Sequence, residues 1–231
     1  MSKLTCMMLV KNEADRYLKA VLDDVSRYAD EIVILDDNST DDTFDLCKSY
    51  DKVVSLERVK GTSFEENEAA PRYQLFQQTL KTNPEWIISL DADEMMEPRF
   101  AQNVQKLLKG AGAYKWYSIE FYHFWGNLRQ YRVDKLWRPS RGPRIFKVEL
   151  GIKYEWLDQK LHCGSVPRNI TQYPGGFSGY RVKHFGYADG MERTRKKYEW
   201  YIAKDPNSEM CPRSHYDSML DKNPVLEEWR D

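Results

Sequence analysis

Between Leu4 and Leu90 the chain alternates four short apolar runs with helical patterns, and this alternation limits its possible folds more than any other feature. The runs are Leu4 to Val10, Glu31 to Leu35, Val53 to Leu56 and Trp86 to Leu90, each of a length that suits a buried strand. After the first, Leu18, Val21, Leu22, Val25 and Tyr28 fall on one helical stripe. The Asn, Ser, Thr and Asp side chains of Asp36 to Thr43 suit a turn and a helix N-cap, which places a second helix up to Tyr50. A third helix is expected over Glu65 to Leu80, and Pro98 opens a fourth that carries Phe100, Val104, Leu107 and Leu108. Strand and helix in this order predict an α/β fold, a mostly parallel sheet flanked by helices.

Past Gly110 the texture turns aromatic and β-branched. Tyr114 to Trp125 and Tyr131 to Trp137 flank the turn signal Gly126-Asn127 and predict antiparallel strands. Pro139 to Pro143 and Pro174 to Gly179 read as loops, Arg181 to Phe185 as a last strand, and Met191 to Ala203 as a basic, aromatic helix. With 231 residues, no repeat and no separating linker, a single domain over 1–231 is expected. Within it, 1–110 and 111–204 form two halves, and 205–231 forms a peripheral tail.

Bulk charge says little about partners: 35 Lys+Arg against 36 Asp+Glu argues against stable nucleic-acid binding. No apolar run approaches the roughly 18 residues of a membrane span. The start, Met-Ser-Lys-Leu-Thr-Cys, lacks the layout of a secretory leader. Cys6, Cys47, Cys163 and Cys211 are dispersed, so neither a zinc knuckle nor a disulfide framework is expected, and reduced thiols in a cytoplasm are. Peripheral membrane contact stays open through the helix around Arg193 to Tyr201, with Lys196, Lys197, Trp200 and Tyr201, against the alternative of a packed, solvated helix. The oligomeric state stays open too.

Two pairs of carboxylates carry the chemistry. Asp36-Asp37 and Asp91-Ala92-Asp93 each follow an expected parallel strand, and ligand crevices of open α/β sheets lie outside those carboxyl ends. Asp91 and Asp93 suit a hard divalent cation, Mg²⁺ or Mn²⁺, whose remaining positions go to phosphate oxygens and water. Asp36 and Asp37 suit the donors of a base or ribose, or else simply cap the turn.

These residues resemble the family 2 glycosyltransferases with a GT-A fold. The resemblance rests on Met8-Leu9-Val10-Lys11-Asn12-Glu13, on Glu31 to Thr43, and on Trp86-Ile-Ile-Ser-Leu-Asp91-Ala-Asp93-Glu94, and it covers roughly the first hundred residues. It implies a nucleotide-diphosphate sugar donor, most often a UDP-sugar, bound with Mn²⁺ or Mg²⁺ through a D-x-D motif. Asp93 would then bind metal and Asp91 ribose or metal. Glu13 and one of Asp36 and Asp37 would contact uracil or ribose, with Lys11 beside them, and Arg72 lies in a segment that approaches the nucleotide. The element His184-Phe185-Gly186-Tyr187 implies His184 as a third metal ligand. A His-Glu pair expected earlier reads Leu161-His162-Cys163-Gly164, so the usual acid is missing.

Inverting transfer needs a base near the attacking hydroxyl. Asp158 and Glu155, on Tyr154-Glu-Trp-Leu-Asp158, are the expected candidates, with Glu94 a third beside the metal. The aromatic run Trp116, Tyr117, Phe121, Tyr122, Phe124 and Trp125 offers either a sugar-stacking platform or core packing. The acceptor is not specified. Competing readings are a nucleotidyltransferase, disfavoured because Lys11-Asn12-Glu13 is no glycine-rich phosphate loop, and a catalytically silent nucleotide-sugar binding protein.

Overall fold

The computed structural model describes residues 1–231, Lys135 by its backbone alone. Its first elements follow the expected order: β1 (Leu4–Val10), α1 (Leu18–Val25), β2 (Glu31–Asp36), α2 (Thr43–Lys48), β3 (Val53–Arg58), α3 (Ala69–Leu80) and β4 (Trp86–Ser89). The short β5 (Glu94–Met96) and α4 (Pro98–Lys109) follow. Then come β6 (Trp116–Trp125), β7 (Gln130–Arg132), β8 (Ser140–Lys147), β9 (Gly175–Tyr187), α5 (Met191–Lys204), α6 (Arg213–Ser218) and β10 (Leu226–Glu228).

β1 lies between β2 and β4, parallel to both, and β3 extends the sheet beyond β2. Antiparallel β8 then joins β4 to β6, and β7 and β10 complete the path. β9 runs parallel to β6 and carries β5 antiparallel. Chain order reverses at β1, so the switch point lies between the carboxyl ends of β1 and β4. The apolar stripe of α1 is buried as its spacing requires, Leu18, Val21, Leu22 and Val25 all reaching the core with Cys6, Met8, Ile32 and Ile34. Each such side chain contributes about 1.5–3 kcal/mol relative to exposure.

Local rules explain where the structure departs from the sequence reading. α3 starts at Ala69 rather than Glu65, because Asn67 Oδ1 accepts from the Ala69 amide at 2.9 Å and Glu66 Oε2 accepts from the Ser63 amide at 2.9 Å, which makes a turn and a cap. β8 crosses Gly142-Pro143, a stretch expected as loop. Its pairing with β6 shifts between Tyr117 and Ser118, so Arg144 has no partner across the ladder and is turned out by a bulge. β9 begins at Gly175, also expected as loop. A Cβ there would lie 2.2 Å from the Trp116 indole, so this glycine serves a close approach.

Residues 205–231, expected as a peripheral tail, instead supply α6 and the edge strand β10, and bury Tyr216 and Met219 to 1% exposure. They also help satisfy the buried Arg132, whose guanidinium donates to its near neighbour Asp134 at 2.5 Å and, from this segment, to the Ser218 carbonyl at 2.6 Å and to Asp221.

Candidate active site

At the switch point a cavity of about 490 Å³ opens. Lys11 and Glu13 reach it from the turn after β1, Asp37 from the end of β2, and Asp91 and Asp93 from the turn after β4. Arg72 enters from α3 and His184 from β9, while Lys197, Trp200 and Tyr201 of α5 line it further along the chain.

The turn after β1 is built for position. Asn12 adopts φ +51°, its amide donates to Ser39 Oγ at 2.9 Å, and its Oδ1 accepts from the Thr40 amide at 2.8 Å. The Glu13 amide donates to Thr43 Oγ1 at 2.7 Å, so the two strand-end loops are laced together. Arg16 grips the Glu13 carboxylate at 2.6 Å and Asp189 at 2.8 Å. Burial still pushes Glu13 up to about 7, with Arg16 opposing.

The acidic pair after β2 divides its labour. Asp36 accepts from the Ser39 amide at 3.1 Å and pairs with Arg58 at 3.0 Å, which commits it to the turn and leaves it out of the cavity wall. Asp37 lines the cavity, accepts from the Phe64 amide at 3.2 Å and pairs with Lys11 at 3.1 Å. Lys11 also pairs with Glu65 at 3.1 Å.

In the turn after β4, Asp91 Oδ1 accepts from Arg72 Nη1 at 3.1 Å. Burial would raise Asp91, but Arg72 and then Arg144 hold its carboxyl below the ordinary range. Arg72 is itself only 8% exposed and its Nε has no partner, leaving a buried donor beside the cavity. Asp93 has no such clamp: burial raises it, Lys197 opposes and Asp91 adds to the rise. The bulge residue Arg144 meets Glu94 at 3.1 Å, and Glu94 Oε2 accepts from the Asp91 amide at 3.1 Å, so Glu94 supports the turn. Burial raises Glu94 as well, against Arg144.

His184 Nε2 lies 3.8 Å from Asp93 Oδ2, and its Nδ1 lies 2.8 Å from Nδ1 of His123, its partner in the β6·β9 register. Burial, then Lys197, pushes His184 down to about 3, so its imidazole is neutral. Among the described residues no cluster of three or more His, Cys, Asp or Glu side chains is preassembled for a metal. The donors that do face each other, one carboxylate oxygen raised by burial and one neutral imidazole nitrogen, suit Mn²⁺ or Mg²⁺ with phosphate and water in its other positions.

Other expected residues stand elsewhere. Glu155 is paired with Arg168 at 3.1 Å on the surface, and Asp158 is exposed with Asn67 Nδ2 at 3.4 Å; neither lines the cavity. None of Trp116, Tyr117, Phe121, Tyr122, Phe124 and Trp125 lines it either, since they pack within the sheet's own layers. The aromatic rings at the cavity are Phe64, Tyr187, Trp200 and Tyr201. Sequence reasoning missed Glu68, His123 and Arg144. The last two are placed by strand register and a bulge, which leave no local signature, whereas Glu68 could have been found as the acid one turn before Arg72.

The family model described as glycosyl transferase family 2 matches residues 5–186, and the chain belongs to that family. An uncharacterized protein of Mycobacterium tuberculosis is 30% identical over 214 residues, which cover 85% of this chain and 49% of that protein. An uncharacterized glycosyltransferase of Rickettsia prowazekii is 25% identical over 146 residues, 63% of this chain and 43% of its own length. The chain therefore spans about half the length of the curated relatives it matches. Among solved structures, S. aureus TarS 1-349 in complex with UDP-GlcNAc superposes with a TM-score of 0.51 at 15% identity, covering 94% of this chain and 70% of that one. This likeness is one of fold, and the fold is of the GT-A type. No helix among the described residues is long and apolar enough to cross a membrane, and the four cysteines are free thiols.

Proposed function

We propose that the chain transfers a sugar from a nucleotide-diphosphate sugar, with UDP as the carrier, to an acceptor hydroxyl, with inversion and with Mn²⁺ or Mg²⁺ bound. The observation that carries this reading is the convergence of Asp37, Arg72, Asp91, Asp93 and His184 on one cavity at the sheet's switch point. The family membership and the UDP-GlcNAc complex of TarS, a protein of the same fold, support it.

In this reading Asp37 and Glu13 accept from the donors of base and ribose, and Asp91 takes ribose or metal. Asp93 and His184 hold the metal, which when bound supplies counter-charge to the leaving diphosphate. Arg72, oriented by Asp91, turns its free Nε–H toward phosphate oxygens, and Lys11 and Lys197 raise the positive potential of the wall. Tyr187, Trp200 and Tyr201 provide ring faces for sugar and exclude water. We place the protein in the cytoplasm, where its thiols remain reduced. A silent nucleotide-sugar binder is the second reading, favoured by one observation: Glu155 and Asp158 stand outside the cavity.

Calorimetric titration with UDP, with and without Mn²⁺, tests the site on wild type and Asp93→Ala. Metal-dependent binding weakened at least about tenfold in the variant is expected, in line with loss of a ligand. Failure of UDP, GDP and dTDP alike to bind would sink the proposal, and UDP release from UDP-sugars separates enzyme from silent binder.

A further inference from the structure

We infer that His162 is the general base of the transfer, set in its reactive tautomer by Tyr216 and Asp205 acting as positioning residues. The inference rests on the glycosyltransferase reading above. His162 lines the cavity and stays exposed there, while Glu155 and Asp158 do not reach it. It is one of five non-glycine residues at positive φ among the described residues, at +58°, a sparsely populated conformation that the contacts around it hold.

The hydrogen bonds run in one direction. Asp205 accepts from the Glu209, Met210 and Cys211 amides at 2.8, 3.1 and 3.1 Å, and although burial opposes it these amides hold its carboxyl below the ordinary value. An ionised carboxylate can only accept, so the Tyr216 hydroxyl donates its one proton to Asp205 Oδ2 at 3.0 Å. The phenolic oxygen is then left to accept from His162 Nε2–H at 3.1 Å. With the proton on Nε2, the lone pair sits on Nδ1, free to take a proton. A carboxylate that fixes a histidine's tautomer through an intervening hydroxyl follows the logic of a hydrolase triad with a tyrosine inserted.

Packing fixes the ring as well. Tyr201 stacks on His162 at 5.5 Å and 21°, and on Tyr216 at 5.3 Å and 19°. The titratable and charged groups facing His162 are Tyr201 from α5, Asp205 beyond it, Tyr216 and His215 from α6, and Glu68 at the start of α3. Burial lowers the imidazole below its ordinary value and Asp205 opposes, which leaves it neutral at pH 7. Glu68 Oε2 accepts from the Cys163 amide at 3.3 Å, tying this loop to the helix whose Arg72 holds Asp91. His162 is thus fastened to the framework that receives the diphosphate.

The acceptor oxygen bonds the anomeric carbon while its proton passes to His162 Nδ1; the bond from that carbon to the diphosphate oxygen breaks, and its electron pair leaves on the diphosphate. The imidazolium returns the proton to solvent.

The test has a spectroscopic and a kinetic arm. The chain has four histidines, so ¹⁵N side-chain spectra are tractable. Wild type is expected to show His162 as the Nε2–H tautomer at pH 7.5, and Tyr216→Phe to show a mixture with a lower imidazole pKa. This arm needs no turnover, and an Nδ1–H tautomer in wild type overturns the inference. The kinetic arm follows UDP release from UDP-GlcNAc and UDP-glucose with water as acceptor. His162→Asn is expected to lose about 10²–10³-fold with UDP affinity within threefold of wild type. Tyr216→Phe should move the acid limb of the pH profile to lower pH, a change that a merely structural role would not cause. Retention of rate within threefold in His162→Asn, or loss in Glu68→Gln alone, overturns it. Absence of UDP binding in wild type marks failure of the glycosyltransferase reading instead.

Discussion

A methyl group at position 186 would lie 2.7 Å from the His184 ring and 2.8 Å from Lys197 Nζ. Lys197 can swing aside, but the imidazole is fixed between His123 and Asp93, so Gly186→Ala must displace a donor of the proposed metal site. The variant is expected to fold, with a thermal midpoint near that of wild type, and to bind UDP with Mn²⁺ about tenfold more weakly. Unchanged affinity would show that His184 is not a ligand. Much of the site was legible at this scale, because Lys11, Glu13, Asp91 and Asp93 lie in turns that a strand end dictates. Asp36 and Asp37 could not be told apart in the sequence. Which of the two faces the cavity depends on where Arg58 and the Ser39 amide fall, and both come from the tertiary fold.

At the scale of the element, α1 carries an acid on its buried side. Asp24 is 7% exposed, its Oδ1 meets Arg27 at 3.2 Å, and its Oδ2 has no partner. Burial pushes it up to about 6, with Arg27 opposing. A raised carboxyl contributes stability that is complete below its unfolded value and is lost as pH rises through about 6. That loss is of the order of 3 kcal/mol. Wild type should therefore gain about 5 °C more in thermal midpoint than Asp24→Asn on moving from pH 7.5 to pH 5. Parallel pH curves would refute this. Elements with strong periodicity, such as α1 and α4, were legible in the sequence; β8 and the start of β9 were not, because Gly142-Pro143 and Gly175-Gly176 carry loop composition while serving a bulge and an aromatic contact. Nor did the α5 pattern reveal that Lys197, Trp200 and Tyr201 face the cavity, since one amphipathic helix face serves core and site alike.

For the whole molecule, the parallel half followed from alternation alone, whereas the seam between β6 and β9 joins segments about sixty residues apart and had no local signal. The terminal segment is part of this closure. A chain ending at residue 204 would leave the Arg132 guanidinium buried without the Ser218 carbonyl and Asp221. Breaking a buried charged network costs about 3–5 kcal/mol. A fall of about 10 °C in thermal midpoint is expected from that loss, checked by calorimetry, and a shift under 3 °C would show the segment to be dispensable.

The same seam sets an order of assembly. Asp93 belongs to the first half of the chain, and His184 arrives ninety-one residues later. At synthesis rates of about 5–20 residues per second, the acidic turn emerges roughly 5–18 s before its imidazole partner. Until β9 docks alongside β6, a nascent chain holds the carboxylates without the wall that encloses them, so any cation captured then would be held by exposed, exchangeable ligands.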